Sequence, residues 1–495
     1  MVVLSTSTAT ALGFGYAWAM EYTRIPLRGF FHNIALLPLL SPPFVVAAAY
    51  PLLFGRRGVV SYGVFGFEIN VYGMYGLWAV QTIAFFPYAY QIIANVLRNV
   101  NPTLEVAAAD LGAGRWHVFR TVTLPLALPG IVSAALLVAV YVLSDFANPL
   151  IIAGRYQTLP ALAWGQISAF ADFTSAAVLA SYLLVMAGGF FLLSLRFNAN
   201  RSFVTVSGRG GWLERPQARR SASWAAFLLC AALAAFILLI YSVLLAGAVT
   251  KVWGVNYDFT WDHWRFVREH PLPLQNSVKF SLIASILSAV VATMLAYLTL
   301  RRRFPGRRVL EMLCMLPAAV PGIFFGIGYI LAFRRPLIPG RRELDLFGIE
   351  IPLIIDRPAV LLTMALFAWN LPTGYRAVAA ALSQIDPTLE DAAGSLGAGT
   401  MRTFKDIMLP LLVRPFVTAF VTGFVRAITT LSVVIFLFDP ATIMAPITIM
   451  VLVGNFDWGR GTAYTAALII LALVVLLVLW ALRRGQAGIS EIVNG

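Results

Sequence analysis

Apolar and polar positions alternate along this chain in long blocks. Eleven blocks of about twenty mostly apolar residues, at 2–20, 31–53, 73–97, 126–147, 174–195, 223–249, 277–300, 310–333, 358–382, 411–438 and 462–482, are separated by shorter polar segments. A block of that length crosses the hydrocarbon core as a helix, which satisfies its own backbone groups where no water can. The pattern predicts an all-α integral membrane protein of about eleven spans.

Two polar segments stand out because they are alike. Pro102 to Pro125 reads PTLEVAAADLGAGRWHVFRTVTLP, and Pro387 to Pro410 reads PTLEDAAGSLGAGTMRTFKDIMLP. Each predicts a capped short helix, a glycine break, a second short helix and a Leu-Pro stop. Asn101 and Asp386 stand at the N-cap, and Pro102 and Pro387 fill the first helical position, where a missing N–H costs nothing. Leu104, Ala107, Ala108 and Leu111 share one helical face, as do Leu389, Ala392, Ala393 and Leu396. Two alanines among the four make that face smooth enough for a partner to approach its backbone. Gly112 and Gly397 permit the turn that follows.

The likeness extends outward. FPYAYQIIANVLRNVNPTLE (86–105) is matched by LPTGYRAVAAALSQIDPTLE (371–390), 285 positions on, and LPLLSPPF (37–44) by LPAAVPGI (316–323), 279 positions on. The chain therefore reads as two parallel repeats: a first half at 1–200, a linker at 201–222 rich in Arg, Ser and Gly, and a second half at 223–495. An even number of spans separates the two loops, so both are expected on one side of the membrane. Residues 224–279 have no counterpart in the first half, which is one leading span short. A twelve-span parent whose natural start lies upstream of Met1 is the expectation.

Composition agrees with a membrane protein. Hydrophobic residues make up 60% and charged residues 12%, against about a quarter charged in soluble domains. The net charge of +14 would suit nucleic acid, but its distribution excludes that reading. Basic residues gather in loops after odd-numbered spans: Arg98, Arg115 and Arg120, a group from Arg196 to Arg220, RRRFPGRR at 301–308, then Arg402 and Lys405. This is the positive-inside pattern, and it places those loops and the C-terminus in the cytoplasm. The segment 334–357 is the exception, its arginines offset by Glu343, Asp345, Glu350 and Asp356.

The two loops resemble the EAA loop of ABC importer permeases: Ala-Ala, a Gly five residues after the first Ala, then Leu-Pro. The residues that carry the resemblance are Glu105, Ala107, Ala108, Gly112, Leu124 and Pro125 in the first loop. In the second they are Glu390, Asp391, Ala392, Ala393, Gly397, Leu409 and Pro410. The resemblance covers nearly the whole chain as a fused, two-half permease. It implies that each loop docks on a subunit of a cytoplasmic ATPase dimer, and that an extracytoplasmic binding protein delivers the substrate. The acid usually found directly before Ala-Ala is Val106 in the first loop, with Glu105 one position earlier, so a different or weaker polar contact with the ATPase is expected there. SDFANPLI (144–151) resembles the ferric-iron branch of the family. Ferric iron is thus the implied substrate of this inner-membrane protein, with thiamine, polyamines or organophosphates as alternatives.

No residue pattern points to catalysis, a cofactor or a metal centre. Lysine occurs only at 251, 279 and 405, never after a glycine, so the chain lacks the phosphate-cradling Gly-Lys-Ser/Thr of an ATPase. The four histidines have no metal-ligand spacing, and Cys230 and Cys314 read as core residues. Charges inside spans are costly, which makes them candidates for a translocation pathway. These are Asp145 with Ser144 and Asn148 late in the fourth span, Asn370 in the ninth, and Arg426 near the middle of the tenth. Arg376 sits near a span end, where snorkelling accounts for it. Asp145 and Arg426 either pair across a central pathway, or stay separate with Asp145 hydrated at the outer mouth and Arg426 bonded to backbone carbonyls within its own half. An ion-coupled secondary transporter is the rival class, but it would use inverted repeats and ion ligands at mid-membrane. A structural membrane protein would have no use for twin docking loops.

Overall fold

The computed structural model describes residues 1–199, 220–334, 343–346, 349–352, 357–386 and 388–493. Most of the expected linker, Pro387 and most of 335–356 lie outside the described residues. The described residues are mostly helical, and their strands form two small antiparallel hairpins. It divides into two units, one of Met1–Trp264 with Leu452–Ala463, the other of Arg265–Val451 with Tyr464–Gly495.

In the first unit, α1 (Val2–Tyr22) is followed by α2 (Arg28–Leu36), α3 (Phe44–Phe54) and α4 (Met74–Asn99). The first loop holds α5 (Pro102–Asp110) and α6 (Arg115–Val118), leading into α7 (Leu124–Leu143). Then come α8 (Ala147–Ile152), α9 (Leu159–Phe170), α10 (Phe173–Ala199), α11 (Arg220–Gly247) and the hairpin β1 (Thr250–Val252) and β2 (Asn256–Phe259). After α12 (Asp262–Glu269), the second unit runs through α13 (Leu272–Arg301), α14 (Arg307–Met315) and α15 (Gly322–Tyr329) to the hairpin β3 (Glu343–Leu346) and β4 (Ile349–Pro352). It continues with α16 (Pro358–Leu382), α17 (Thr388–Ser395), α18 (Thr400–Thr403), α19 (Leu409–Thr429), α20 (Ala445–Gly454) and α21 (Trp458–Val493).

Each unit is built on a kernel of three helices, α1, α4 and α7 in one, α13, α16 and α19 in the other. Small residues make the kernels possible. Between apolar helices in lipid, association depends on close van der Waals contact, which small side chains permit. On α1, Ser5, Ala9, Gly13 and Ala17 form a buried row. On α13, Ser277, Ser281, Ser285, Ala292 and Ala296 do the same. A Cβ added to Gly13 would lie 2.7 Å from the Ala89 Cβ and 2.8 Å from the Tyr90 nitrogen on α4. The Ser285 and Thr293 hydroxyls of α13 are satisfied within the helix, donating to the Ser281 and Ala289 carbonyls. Ser277 accepts from the Ala445 N–H, and the buried Ser281 Oγ has no hydrogen-bond partner among the described residues. Ser285 and Thr293 therefore face a neighbour with their hydrogen-bonding capacity already used.

The count of eleven spans is not confirmed. Among the described residues seven helices are long and apolar enough to cross a membrane, or eight if Arg307–Ala318 and Gly322–Phe333, bent by 104° at their break, are one span. Helices α1, α4 and α16 are long but lie outside those seven. The expected span 31–53 is in two pieces, because Ser41, Pro42 and Pro43 follow the short turn Leu37–Leu40 and interrupt the helical ladder.

The Leu-Pro pairs do not stop a helix either. They begin α7 and α19, and each follows a single wide π turn, Phe119–Thr123 and Phe404–Met408. A proline inside a helix has no N–H to donate and its ring crowds the carbonyl four residues back. A π turn accommodates that misfit without ending the helix. The segment Arg115–Leu143 is consequently one apolar rod of 29 residues.

Gly13→Val is expected to lower stability by about 1–3 kcal/mol through overpacking against α4. Gly15→Ala, whose added methyl meets only the end of Leu229 at 3.4 Å, should be neutral or slightly stabilising. Thermal unfolding in detergent checks both, and equal effects would refute the close-approach account.

Candidate coupling loops and buried polar clusters

The loops carry their predicted caps. Asn101 accepts from the Thr103 N–H at 3.0 Å, and Asp386 from the Thr388 N–H at 2.9 Å. The latter bond holds the exposed Asp386 carboxyl below the ordinary aspartate range. Gly112 has φ +83° and Gly397 φ +81°, the left-handed conformation that L side chains resist. Each loop also exposes three large apolar side chains 285 positions apart: Leu104, Leu111 and Trp116 in the first, Leu389, Leu396 and Met401 in the second. Leu111 and Leu396 are both 89% exposed. Trp116 and Met401 were not singled out by sequence; only their position in the repeat marks them.

The expected smooth face is only partly available. Ala107 and Ala392 are exposed, but Ala108 is half-buried and Ala393 is buried. Glu105 and Glu390 also turn inward. Glu105 is 1% exposed, and its Oε1 accepts from the Tyr22 hydroxyl at 2.8 Å and the Thr123 hydroxyl at 2.6 Å. Glu390 meets Tyr297 at 3.2 Å, Arg301 at 3.4 Å and Arg302 at 3.8 Å. The contact expected between Glu105 and an ATPase is therefore not offered by this conformation. Asp391 is exposed. Leu124 and Pro125, with Leu409 and Pro410, serve as the junctions already described.

Asp145 lies beyond the end of α7, at the break before α8, and is buried. Its Oδ2 accepts from the Gln81 side chain at 2.8 Å and from that of Asn148 at 3.0 Å, while its Oδ1 accepts from the Asn148 backbone N–H at 3.3 Å. Gln81 in turn accepts from Ser5 at 2.9 Å. One carboxylate thus joins α1, α4, α7 and α8. The expectation of a hydrated carboxylate at an outer mouth does not describe this structure. Ser144 Oγ and Asn148 Oδ1 are buried without hydrogen-bond partners among the described residues.

Arg426 is in the last turn of α19, not at mid-span, because that helix ends at Thr429. Its guanidinium lies 4.6 Å from the centre of the Trp369 ring and donates to the Thr373 hydroxyl. Its partners are an aromatic face and a hydroxyl, where backbone carbonyls were one expectation. Asn370 is buried and donates to the Gly423 carbonyl at 3.1 Å, tying α16 to α19. Both charges are thus satisfied inside their own units. Sequence reading missed Gln81, which shows no signal among apolar neighbours. It also missed a cavity of about 340 Å³ in the first unit whose lining includes Arg56, Arg57, Asn70, Tyr72 and Trp253.

A Cβ at Gly112 or Gly397 would meet nothing within 4 Å, so substitution there is penalised by backbone conformation alone. Valine should cost about 1–2 kcal/mol and asparagine distinctly less. Thermal unfolding of the four variants tests this, and equal penalties for Asn and Val would contradict it.

The family described as "Binding-protein-dependent transport system inner membrane component" matches residues 11–252 and 284–485, once in each half. The ferric transport system permease protein FbpB of Actinobacillus pleuropneumoniae is 31% identical over 481 residues, 94% of this chain and 67% of that protein. A putative ferric transport system permease protein FbpB 1 of Haemophilus influenzae is 33% identical over 441 residues, 86% of this chain and 67% of its own length. The molybdenum transport system permease protein ModB of Escherichia coli is 34% identical over 167 residues, 32% of this chain and 72% of that protein. With its repeated kernels and apolar helices, the chain belongs to the binding-protein-dependent transport system inner membrane components, as a two-half, multi-pass permease.

Proposed function

We propose that this permease passes ferric iron, handed over by an extracytoplasmic binding protein, into the cytoplasm at the expense of ATP hydrolysed by a separate ATPase dimer. The observation that carries this reading is the pair of exposed Leu, Leu and Trp/Met surfaces on matching loops, in a chain 31% and 33% identical to two ferric permeases over most of its length. Residues 1–200 and 223–495 act as the two permease halves, joined by the linker at 201–222. The loops and the C-terminus face the cytoplasm, in accord with the basic residues around them.

The docking surface consists of the exposed leucines with Ala107, Ala392, Asp391 and the glycine turns. Ser144, Asp145, Asn148, Asn370 and Arg426 belong to the translocation pathway. Ferric ion favours hard oxygen ligands, which Asp145 and its neighbours supply. A single carboxylate makes a weak site, as passage through a membrane requires, so selectivity resides with the binding protein.

Reconstitution with the partner ATPase and binding protein should give ferric uptake that needs both ATP and the binding protein. Uptake driven by an ion gradient without ATP would overturn the class. A binding protein that captures thiamine, a polyamine, an organophosphate or molybdate in place of iron would overturn the substrate. Gly397→Val should reduce uptake at least about tenfold, the size of a lost 1.4 kcal/mol, at normal membrane yield. Asp145→Asn and Arg426→Gln should each reduce uptake, and their effects should multiply, because each charge has its own partners. Recovery in the double variant would instead mean that the two pair during transport.

A further inference from the structure

We infer that Glu105 and Glu390 fasten each coupling helix to the first kernel helix of its own half, and that the two fastenings differ in kind: the first is held by hydroxyls, the second is clamped by arginine. This rests on reading the loops as ATPase-docking elements. Glu105 Oε1 takes hydrogen bonds from Tyr22 on α1 and from Thr123 at the end of the π turn leading into α7, while its buried Oε2 has no hydrogen-bond partner. No arginine or lysine ion-pairs with it among the described residues. In the second half the counterpart of Thr123 is Met408, buried and without a hydroxyl. There the fastening goes to α13, through a hydrogen bond from Tyr297 to Oε2 and ion pairs with Arg301 and Arg302. Glu390 Oε1, like Glu105 Oε2, is buried without a hydrogen-bond partner among the described residues. Arg301 also donates to the carbonyls of Leu382 and Ile385, at and just beyond the end of α16, so one guanidinium ties α13, α16 and α17 together. Arg302 braces the arrangement by donating to the Tyr297 hydroxyl at 2.8 Å.

The difference traces to one position. Aligned on LPLL and LPAA, 279 positions apart, Tyr22 stands where Arg301 stands in the second half. A phenol offers one neutral donor; a guanidinium offers several, with charge, in a fixed fork. Removing the charge from Glu390 leaves Arg301, its side chain only 10% exposed, without its ion-pair partner, which costs more than altering an exposed pair. Replacing Glu105 by glutamine keeps an amide oxygen for both hydroxyls and puts the NH₂ where the carboxylate oxygen had no partner. The second loop thus moves with α13 and α16 as one body, and the first has the looser tie. Glu105 and Glu390 are positioning residues, not docking residues.

Two measurements test this. Spin labels at Asp110→Cys and Ser395→Cys, exposed and equivalent positions 285 apart, report the mobility of each helix in the permease alone, with buried Cys230 and Cys314 replaced by alanine. Glu390→Gln and Arg301→Gln should each loosen the label at 395, with no further loosening when combined. Glu105→Gln should leave the label at 110 unchanged. Equal loosening of both loops, or additive effects of Glu390→Gln and Arg301→Gln, overturns the inference.

In the complex with ATPase and binding protein, Glu390→Gln and Arg301→Gln should each cut binding-protein-stimulated hydrolysis about tenfold or more, and Glu105→Gln less than about threefold. Basal hydrolysis and co-purification of the ATPase should persist. Loss of the ATPase from Glu390→Gln but not from Arg301→Gln would make Glu390 a docking residue and overturn the inference. If the unaltered complex shows no stimulated hydrolysis, the importer reading fails, and the spin labels still decide the tether.

Discussion

The constraint on which the rest of this protein depends is the close approach of the first kernel helix to the second within each half. Lipid offers helices no hydrophobic incentive to associate, so contact must come from shape. The Ser5–Ala9–Gly13–Ala17 row supplies it in the first half and the serine-alanine row of α13 in the second. Above this seam large side chains lock the arrangement: Tyr16 stands edge-on to Tyr90 with ring centres 5.0 Å apart and donates to the Phe31 carbonyl. Only because α1 lies so near α4 does Tyr22 reach Glu105, and only because α13 lies so near α16 does Arg301 reach the end of that helix.

The two halves share this frame but not its polar contents. The first buries a carboxylate among amides, and the second places a guanidinium against an indole. Each is a way to keep a charge where water is scarce: the carboxylate gathers N–H donors, the cation finds a π face and a hydroxyl. Gln81 has Leu366 as its counterpart, and Asp145 has Thr430, so nothing in the second half could host the first half's cluster. Duplicated architecture has been filled with unlike chemistry.

Much of this was legible in the sequence. The repeat, the capped loop helices and the glycine turns follow from local rules that read directly from residue types. The helix breaks did not, because apolar runs such as 31–53 hide Pro42 and Pro43 in a hydropathy profile. The Leu-Pro junction was misread for a related reason: proline's local preference favours a stop, while packing on both sides keeps the rod going through a π turn. The inward course of Glu105 and Glu390 was out of reach, since Glu105 turns to Tyr22, 83 positions away, as well as to the nearer Thr123, and the partners of Glu390 lie 88 to 93 positions away. The same holds for Asp145, whose burial depends on Gln81, a residue with nothing unusual around it.

The π turn before Leu-Pro has a mechanical consequence. It makes α6 and α7 a single lever with its short arm at the first loop. At 1.5 Å per residue the 20 residues of α7 beyond the turn, Leu124–Leu143, span roughly 30 Å, so a pivot of about 5° at the turn sweeps the far end through roughly 2.6 Å. Asp145 stands two residues past that far end. A rocking of the loop through that angle would therefore shift the backbone beside the buried carboxylate by about the length of one hydrogen bond. The wide turn would be the fulcrum, since it takes up the misfit of Pro125 while the helix continues on both sides.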